Sequence, residues 1–182
     1  MTGLRAEAAL FWRDVDDLIV LVKTTPNTSK PSNVGRATIF GVELAASFEL
    51  WDSIGVTANY TYQNARDESP APSRNGKRLP GVAPSELYAR LDYRAFDLVP
   101  FYEVSFTSAN YLDPSNRREV PSRTLHNLGL QYRAPSLPLT LTFETRNLGD
   151  NQVADFAGFP LPGRSFFGTV SWRWAEKRNQ ES

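Results

Sequence analysis

Two segments rich in arginine and lysine contain the residue types in this sequence that are best suited to binding a charged ligand. Guanidinium and ammonium groups form charge-assisted hydrogen bonds with carboxylates and phosphates. These segments could therefore attract an anionic ligand or contact phosphate groups. Asp67 and Glu68 offset part of the charge, so a merely solvated loop is the alternative. The ligand-contact candidates are Arg66, Arg74, Lys77 and Arg78 in the first segment, and Arg117 and Arg118, close to Asp113, in the second.

A second set of charged residues occupies every other position of several apolar segments. Side chains two residues apart lie on the same face of a strand, so each such strand would carry a charged face. In a barrel with a wet interior these side chains would face the lumen, where they could pair with one another, hold a plug or line a substrate path. The lumen-facing candidates are Glu43, Arg90, Asp92, Glu103, Glu144 and Arg173, with Arg94, Arg133 and Arg146 on the same faces.

Catalytic and metal-binding chemistry has little support in the sequence. There are no cysteines, which excludes disulfide scaffolds, thiol nucleophiles and zinc ribbons. His126 is the single histidine, and no nucleophile-elbow, phosphate-loop or metalloprotease motif is present. Lysine plus arginine balances aspartate plus glutamate at 20 each, so no nucleic-acid partner is expected. The sequence predicts a protein that is not an enzyme and that has no cofactor or metal site.

An alternation of apolar and polar residues predicts the elements that carry these charges. Leu128, Leu130 and Tyr132, for example, alternate with polar or small residues. A period of two is typical of β-strands with one apolar face. We therefore predict an all-β fold, an antiparallel meander of about nine strands. The predicted strands are 4–13, 17–23, 36–50, 53–64, 85–95, 99–110, 122–133, 138–147 and 164–174.

The lengths of the predicted connections favour a transmembrane barrel. A strand of about 11 residues, tilted by about 45°, stands about 25 Å tall, as the apolar band of an outer-membrane barrel requires. Such barrels have short periplasmic turns and long outer loops. The final strand follows a long loop, which would place the C-terminus in the periplasm. Short connections are expected at 14–16, 51–52, 96–98 and 134–137, and long ones at 24–35, 65–84, 111–121 and 148–163.

Aromatic residues on the apolar faces fall near both ends of the predicted strands. Tyrosine and tryptophan favour the two interfaces of a membrane. The alternative is that these rings belong to the core of a soluble sheet. Tyr93, Tyr102, Tyr132, Trp172 and Trp174 are expected at the short-turn end, and Tyr60, Tyr62, Phe106 and Phe166 towards the long-loop end.

An odd number of strands cannot close an antiparallel meander, because the first and last strands run in the same direction. The chain would then be part of a wider barrel. Barrels of 22 strands have a plugged lumen, and at roughly 20 residues per strand and connection they need about 440 residues. The 182 residues here are fewer than half of that number.

Three motifs resemble those of one family, the TonB-dependent outer-membrane receptors. The stretch 33–43 (NVGRATIFGVE) resembles a recurring barrel strand of that family. The stretch 147–151 (NLGDN) resembles its N-L-x-D element before the last outer loop, and 158–166 (GFPLPGRSF) resembles the segment leading into its final strand. The closing strand resembles the signal read by the barrel-assembly machinery, here carried by Phe166, Gly168, Val170, Trp172 and Trp174.

The resemblance implies energy-coupled uptake across the bacterial outer membrane, with a ferric siderophore as the first expectation and cobalamin as the second. Residues 1–174 would form the C-terminal strands of the barrel, and 175–182 a polar tail. The implied partners are a plug domain absent from this chain, TonB acting through a missing N-terminal region, the barrel-assembly machinery, and outer-membrane lipid with lipopolysaccharide.

Two alternative functions are compatible with the same predicted strands. Without one N-terminal strand, the chain could be a complete small outer-membrane barrel of eight strands, porin-like or adhesive. It could also be a soluble ligand-binding β-sandwich or calyx, in which the apolar faces would be packed against each other.

Overall fold

The computed structural model describes residues 3–25, 28–156 and 159–174. Within these ranges the chain forms strands and no helix, so no described helix could cross a membrane. The strands are β1 (Gly3–Lys23), β2 (Ser29–Leu50), β3 (Ile54–Asp67), β4 (Ser85–Tyr93), β5 (Leu98–Thr107), β6 (Asn110–Tyr111), β7 (Glu119–Val120), β8 (Arg123–Arg133), β9 (Leu139–Arg146), β10 (Ala154–Phe156), β11 (Phe159–Pro160) and β12 (Ser165–Trp172).

Eight of these strands form one antiparallel sheet in the order β1-β2-β3-β4-β5-β8-β9-β12. The remaining four form two short hairpins, β6–β7 and β10–β11, inside long connections. The predicted all-β antiparallel class is therefore confirmed. Among the described residues β1 and β12 do not pair with each other, so the sheet is an open wall rather than a closed barrel.

The N-terminal part differs from the sequence prediction. Strands 4–13 and 17–23 were expected to be separate, but they form the single strand β1, so the main sheet has eight strands and not nine. The expected turn at 14–16 is instead a register irregularity between Asp16 and Ile19, where Asp17 has a φ of 56°. A bulge of this kind accommodates a run of polar residues without ending the strand.

Long and short connections alternate from one end of the sheet to the other. The short ones span 51–53, 94–97 and 134–138, and the long ones span 68–84, 108–122 and 147–164. The expected long loop 24–35 is reduced to 24–28, because β1 and β2 continue far past their neighbours and take up its residues.

The two faces of the sheet differ in the way that the alternation predicts. In β8, Leu128, Leu130 and Tyr132 are 47%, 42% and 39% exposed, whereas Gly129 between them is buried. No second layer of the described chain covers this apolar face, so the β-sandwich alternative does not fit the structure. The buried apolar residues are few, and most lie near the long connections: Ala37, Ala65, Leu79, Ala83, Val99, Phe101, Leu112 and Val120.

Aromatic rings on the apolar face meet across neighbouring strands. Towards the long connections, Trp12 stacks on Phe40 with centroids 5.7 Å apart, and Phe143 stacks on Phe166 at 6.3 Å. Tyr102 differs from the prediction, because it lies in the middle of β5 and not at the short-turn end. There its hydroxyl lies 2.5 Å from Nδ1 of His126.

Candidate functional site

Glu103 of β5 is the centre of a polar cluster on the inner face, the side opposite the apolar face. Its Oε1 accepts hydrogen bonds from Arg90 Nη1 at 2.6 Å and from the Tyr88 hydroxyl at 2.9 Å. Its Oε2 accepts a bond from Asn127 Nδ2 at 3.3 Å. The antiparallel register places Arg90 and Asn127 directly opposite Glu103 on the two flanking strands. A carboxylate with this many donors is held in one position.

The cluster continues along β4 towards the short-turn end. Asp92 lies 4.0 Å from Arg90 Nε and 3.4 Å from Arg94 Nε. Arg94 Nη2 in turn contacts Glu49 Oε1 of β2 at 3.2 Å. Three carboxylates and two guanidinium groups thus alternate in sign along a row that runs from β2 past β3 to β4 and β5. We call this row, Glu49–Arg94–Asp92–Arg90–Glu103, the inner ladder.

An aromatic ring lies beneath part of the ladder. The Arg90 guanidinium lies 3.9 Å from the centroid of Phe101, which is 6% exposed. Phe101 covers Gly129, its direct partner on β8, so closely that an added Cβ there would overlap the ring. The stack of arginine, phenylalanine and glycine fixes the orientation of Arg90 through cation–π attraction and packing.

Asparagines connect the ladder to the third long connection. Asn127 donates to Glu103 and accepts a hydrogen bond from the Asn147 backbone N–H at 3.0 Å. The Asn147 side chain is buried, and it bonds the backbone of Asn151 in both directions and the carbonyl of Pro162 at 3.2 Å. The start of the connection 147–164 is therefore fixed to the inner face.

The first two long connections are joined through one asparagine. Asn116 Oδ1 accepts from the Arg78 N–H at 2.8 Å, and Asn116 Nδ2 donates to the Arg78 carbonyl at 2.9 Å. Asp113 holds the turn that contains Asn116, since its carboxylate accepts the backbone N–H groups of Ser115, Arg117 and Arg118. The Asn116 side-chain amide thus bonds both backbone groups of Arg78, as the backbone of a neighbouring strand residue would, and joins 108–122 to 68–84.

The third connection is fixed to the start of β8, the strand that follows the second connection. Arg123 Nη2 lies 2.5 Å from Asp155 Oδ1, and Asn151 Nδ2 donates to the Thr124 carbonyl at 3.2 Å. Asp150 accepts the backbone N–H of Arg164 at 2.8 Å, which fixes the approach to β12. All three long connections are consequently tied down, and we refer to 68–84, 108–122 and 147–164 together as the loop platform.

The structure divides the six basic ligand candidates into three groups. Lys77, Arg117 and Arg118 are exposed, and the Asn116–Arg78 bonds bring their segments together. Arg74 lies 4.0 Å from the buried carboxylate of Asp67. Arg66 and Arg78 are direct cross-strand partners, and the register places Arg66 on the same face as Tyr62, the apolar one.

The lumen-facing candidates lie on the inner face, although not in one cluster. Arg90, Asp92 and Glu103 belong to the ladder, with Arg94. Glu144 pairs with Arg146 at 2.6 Å, and Arg146 stacks over Phe167 at 4.5 Å. Glu43 is exposed on β2, where it lines an open cleft with Glu7 and Asn59. Arg133 and Arg173 both line a cavity of about 700 Å³ at the short-turn end.

The residues predicted to form the signal for the barrel-assembly machinery occupy alternating positions on the edge strand β12 and beyond its end. Phe166, Val170, Trp172 and Trp174 are exposed on the apolar face, and Trp172 meets Trp174 edge to face at 6.2 Å. A Cβ added at Gly168 would meet no heavy atom within 4 Å. The expected polar tail 175–182 and Gly158 of the third motif lie outside the described residues.

Sequence reasoning missed the neutral residues that join the charged ones. Asn116, Asn127, Asn147 and Tyr88 carry no charge, and their partners are distant in the sequence. Asn147 gave a weak signal, because it begins the motif at 147–151. Nothing local distinguishes Asn116 from an ordinary loop residue.

Comparison with known proteins matches this fold to one group. Residues 2–148 match the family model described as TonB dependent receptor-like, beta-barrel. The copper transporter OprC superposes with a TM-score of 0.76 at 22% identity, covering 94% of this chain and 29% of that one. The siderophore receptor PiuA from Acinetobacter baumannii superposes with a TM-score of 0.75 at 22% identity, and the match covers 93% of this chain and 26% of PiuA. The unliganded ferric citrate transporter FecA superposes with a TM-score of 0.78 at 18% identity, and the match covers 93% of this chain and 29% of FecA. The chain thus spans between a quarter and a third of the length of these structures.

Proposed function

The chain belongs to the TonB dependent receptor-like β-barrel family, and from this premise we propose that it forms part of the wall of an outer-membrane receptor that imports a scarce nutrient. The family is one of receptors and transporters and not of enzymes, as the sequence indicated. In this proposal residues 1–174 are C-terminal barrel strands, and the C-terminus is periplasmic.

The contrast between the two faces of a single sheet is the observation that carries the proposal. One face leaves large apolar side chains uncovered, such as Phe143 at 56% exposure, and the other carries the inner ladder. Uncovered apolar surface of this extent is unfavourable in water and favourable in lipid. A wall between lipid and a wet lumen satisfies both faces.

Detergent dependence tests the membrane part of the proposal. The refolded chain should be monodisperse and β-rich in micelles and should aggregate without detergent, as measured by light scattering and circular dichroism. A chain that stays monodisperse in buffer alone would contradict it. A heat-modifiable gel band would instead favour the complete small barrel.

The loop platform is the proposed capture surface for the nutrient. Lys77, Arg117 and Arg118 would attract an anionic ligand such as a ferric siderophore, which is the first candidate for the imported nutrient. Cobalamin is the second candidate, and its recognition would not depend on these charges. The names of PiuA and FecA, a siderophore receptor and a ferric citrate transporter, support the first candidate. Because these side chains are exposed, their attraction should weaken as salt screens it.

Charge removal tests the capture surface. The triple variant Lys77→Gln, Arg117→Gln and Arg118→Gln should bind ferric citrate at least tenfold more weakly than the unchanged chain in the same micelles. Arg133→Gln at the opposite end should bind as the unchanged chain does. Equal binding by the triple variant would remove these residues from the capture surface, while the membrane proposal would stand.

The partners follow from the family and are proposals for this chain. A plug domain would sit against the inner ladder, TonB would act on the plug, and the barrel-assembly machinery would read the strand ending at Trp172 and Trp174. Lipid and lipopolysaccharide would cover the apolar face.

A further inference from the structure

Asn75 and Gly76, in the first long connection, are the only asparagine–glycine pair of the sequence. The backbone nitrogen of a residue that follows asparagine can attack the asparagine side-chain carbon Cγ, and glycine favours this attack because it has no Cβ to obstruct it. Both residues are exposed, where the turn that begins at Ala71 ends. Asn75 is therefore the asparagine of this chain whose neighbour most favours deamidation.

The fold holds both reacting groups in hydrogen bonds. The Gly76 N–H donates to the Asp67 carbonyl at 2.7 Å, and Asn75 Nδ2 donates to the Ser69 carbonyl at 2.9 Å. The residues that accept these bonds are fixed as well, because Asp67 and Ser69 are each 2% exposed and the Asp67 carboxylate accepts the Ser69 N–H at 2.8 Å. The reaction therefore requires local opening of the connection, which frees the Gly76 proton and the Asn75 amide.

From this arrangement we propose that Asn75 is a site of spontaneous deamidation and that opening of the connection 68–84 controls its rate. In the open loop a solvent base takes the Gly76 amide proton, and the nitrogen forms a bond with Asn75 Cγ. The bond between Cγ and Nδ2 breaks, and the nitrogen leaves as ammonia with that proton. Water then hydrolyses the succinimide ring at either carbonyl and gives aspartate or isoaspartate at position 75. The net reaction consumes one water molecule and releases one ammonia molecule.

The product would not fit the closed loop. A carboxylate only accepts hydrogen bonds, so it would face the Ser69 carbonyl with no donor between the two oxygens. Isoaspartate also adds one carbon atom to the backbone, which would displace the Gly76 N–H from the Asp67 carbonyl. Deamidation would therefore make the opening of this connection permanent.

The reaction would also change the charge of the proposed capture surface. Residues 66–78 carry four basic side chains and two acidic ones, the latter being Asp67 and Glu68. The product adds a third acidic side chain, two positions before Lys77, so the attraction for an anionic ligand should weaken. This consequence depends on the proposed function, whereas the reaction itself does not.

Mass spectrometry of the full chain tests whether the fold controls the reaction. Chains folded in micelles and chains unfolded in guanidinium chloride are kept at the same pH and temperature, and the formation of aspartate and isoaspartate at position 75 is followed. The folded chain should react about thirtyfold more slowly, since two hydrogen bonds must open first. Asn116, which precedes an arginine, is the internal control and should react far more slowly than Asn75 in the unfolded chain.

Equal rates in the folded and unfolded chains would overturn the control by the fold, and an unfolded chain in which Asn75 reacts no faster than Asn116 would overturn the site. Asn116→Ala removes the two hydrogen bonds to Arg78 that hold the connection. This variant should therefore raise the folded rate towards the unfolded rate and leave the unfolded rate unchanged. An unchanged folded rate would show that opening of the connection does not limit the reaction.

Binding of ferric citrate in micelles tests the consequence for capture. Asn75→Asp reproduces the product charge, and Asn75→Ala, which loses the same hydrogen bond without adding charge, is its matched control. Asn75→Asp should bind about threefold more weakly than Asn75→Ala, and the difference should shrink at high salt. Equal binding by the two variants would overturn the consequence alone. Equal binding by the triple variant of the capture cations as well would refute the proposed capture surface, and the deamidation rates would be unaffected.

Discussion

Glu103 shows how much of the inner face depends on single side chains. It accepts hydrogen bonds from three residues on the two flanking strands, and its removal would leave Arg90 and Tyr88 half-buried without their acceptor. Hydrogen bonds to a charged group contribute about 1.5–3 kcal/mol each, and an unmatched donor costs a similar amount.

We expect Glu103→Ala to lower the free energy of unfolding by about 2–4 kcal/mol, measured by denaturant titration in micelles. Glu86→Ala is the matched control, because Glu86 lies on the neighbouring strand, is exposed and has no described side-chain partner. Its effect should stay within about 0.5 kcal/mol. Equal effects of the two substitutions would show that the ladder does not stabilise the wall.

Gly129 is required by the ring that covers it. An added Cβ would overlap Phe101 Cζ, so the ring and the Arg90 stacked on it would have to move. Gly129→Ala should therefore destabilise the chain by about 1–3 kcal/mol. Gly168→Ala on the edge strand, where a Cβ would meet nothing within 4 Å, should not. The same unfolding titration measures both, and a neutral Gly129→Ala would mean that the ring is not fixed.

At the scale of elements, the loop platform depends on side chains that bond to backbone. Asn116 makes two hydrogen bonds to Arg78, a residue 38 positions earlier. These bonds close two connections of the sheet into one unit, and such closure limits the local opening that exposes loops to exchange and proteolysis.

Asn116→Ala should release both connections. Amide hydrogen exchange should become faster by about thirtyfold in 68–84 as well as in 108–122, since two net hydrogen bonds of about 1 kcal/mol each are lost. Ser115→Ala is the control, because only the backbone of Ser115 bonds Asp113. Faster exchange confined to 108–122 would show that the two connections open independently.

At the scale of the whole molecule, the direction of each face decides where a charge can be placed. Leu130 and Gln131 are neighbours on β8 with side chains on opposite faces. Lysine at the middle of a lipid-facing strand costs about 2–4 kcal/mol, whereas a lumen-facing position is wet.

Leu130→Lys should therefore lower the unfolding free energy of the chain in lipid bilayers by about 2–4 kcal/mol, and Gln131→Lys should change it by less than about 1 kcal/mol. Tryptophan fluorescence during urea titration in liposomes measures both. A larger effect at position 131 would reverse the assignment of the two faces and with it the proposed function.

The two edge strands of the main sheet are also a property of the whole molecule. β1 and β12 each carry a free row of backbone groups in the described chain, and free edges pair readily with another strand. The chain spans 26–29% of the structures OprC, PiuA and FecA. The missing neighbours of both edges are consistent with a wall segment of a wider barrel.

The sequence by itself determined the strand class and the two faces. Alternation such as Leu128, Leu130 and Tyr132 against Gly129, Gln131 and Arg133 depends only on neighbouring residues, because successive side chains of any strand point in opposite directions. The same local signal failed at Asp14–Asp17, where a polar run is compatible both with a turn and with the bulge that the structure contains.

Only the tertiary structure decided which charges meet. The contacts of Glu103 with Arg90, of Asn116 with Arg78, and of Arg66 with Arg78 depend on strand register and on loops folding over one another. These contacts join residues between 12 and 38 positions apart. No local pattern encodes such pairings, since a register shift of one residue would exchange the two faces and separate every pair.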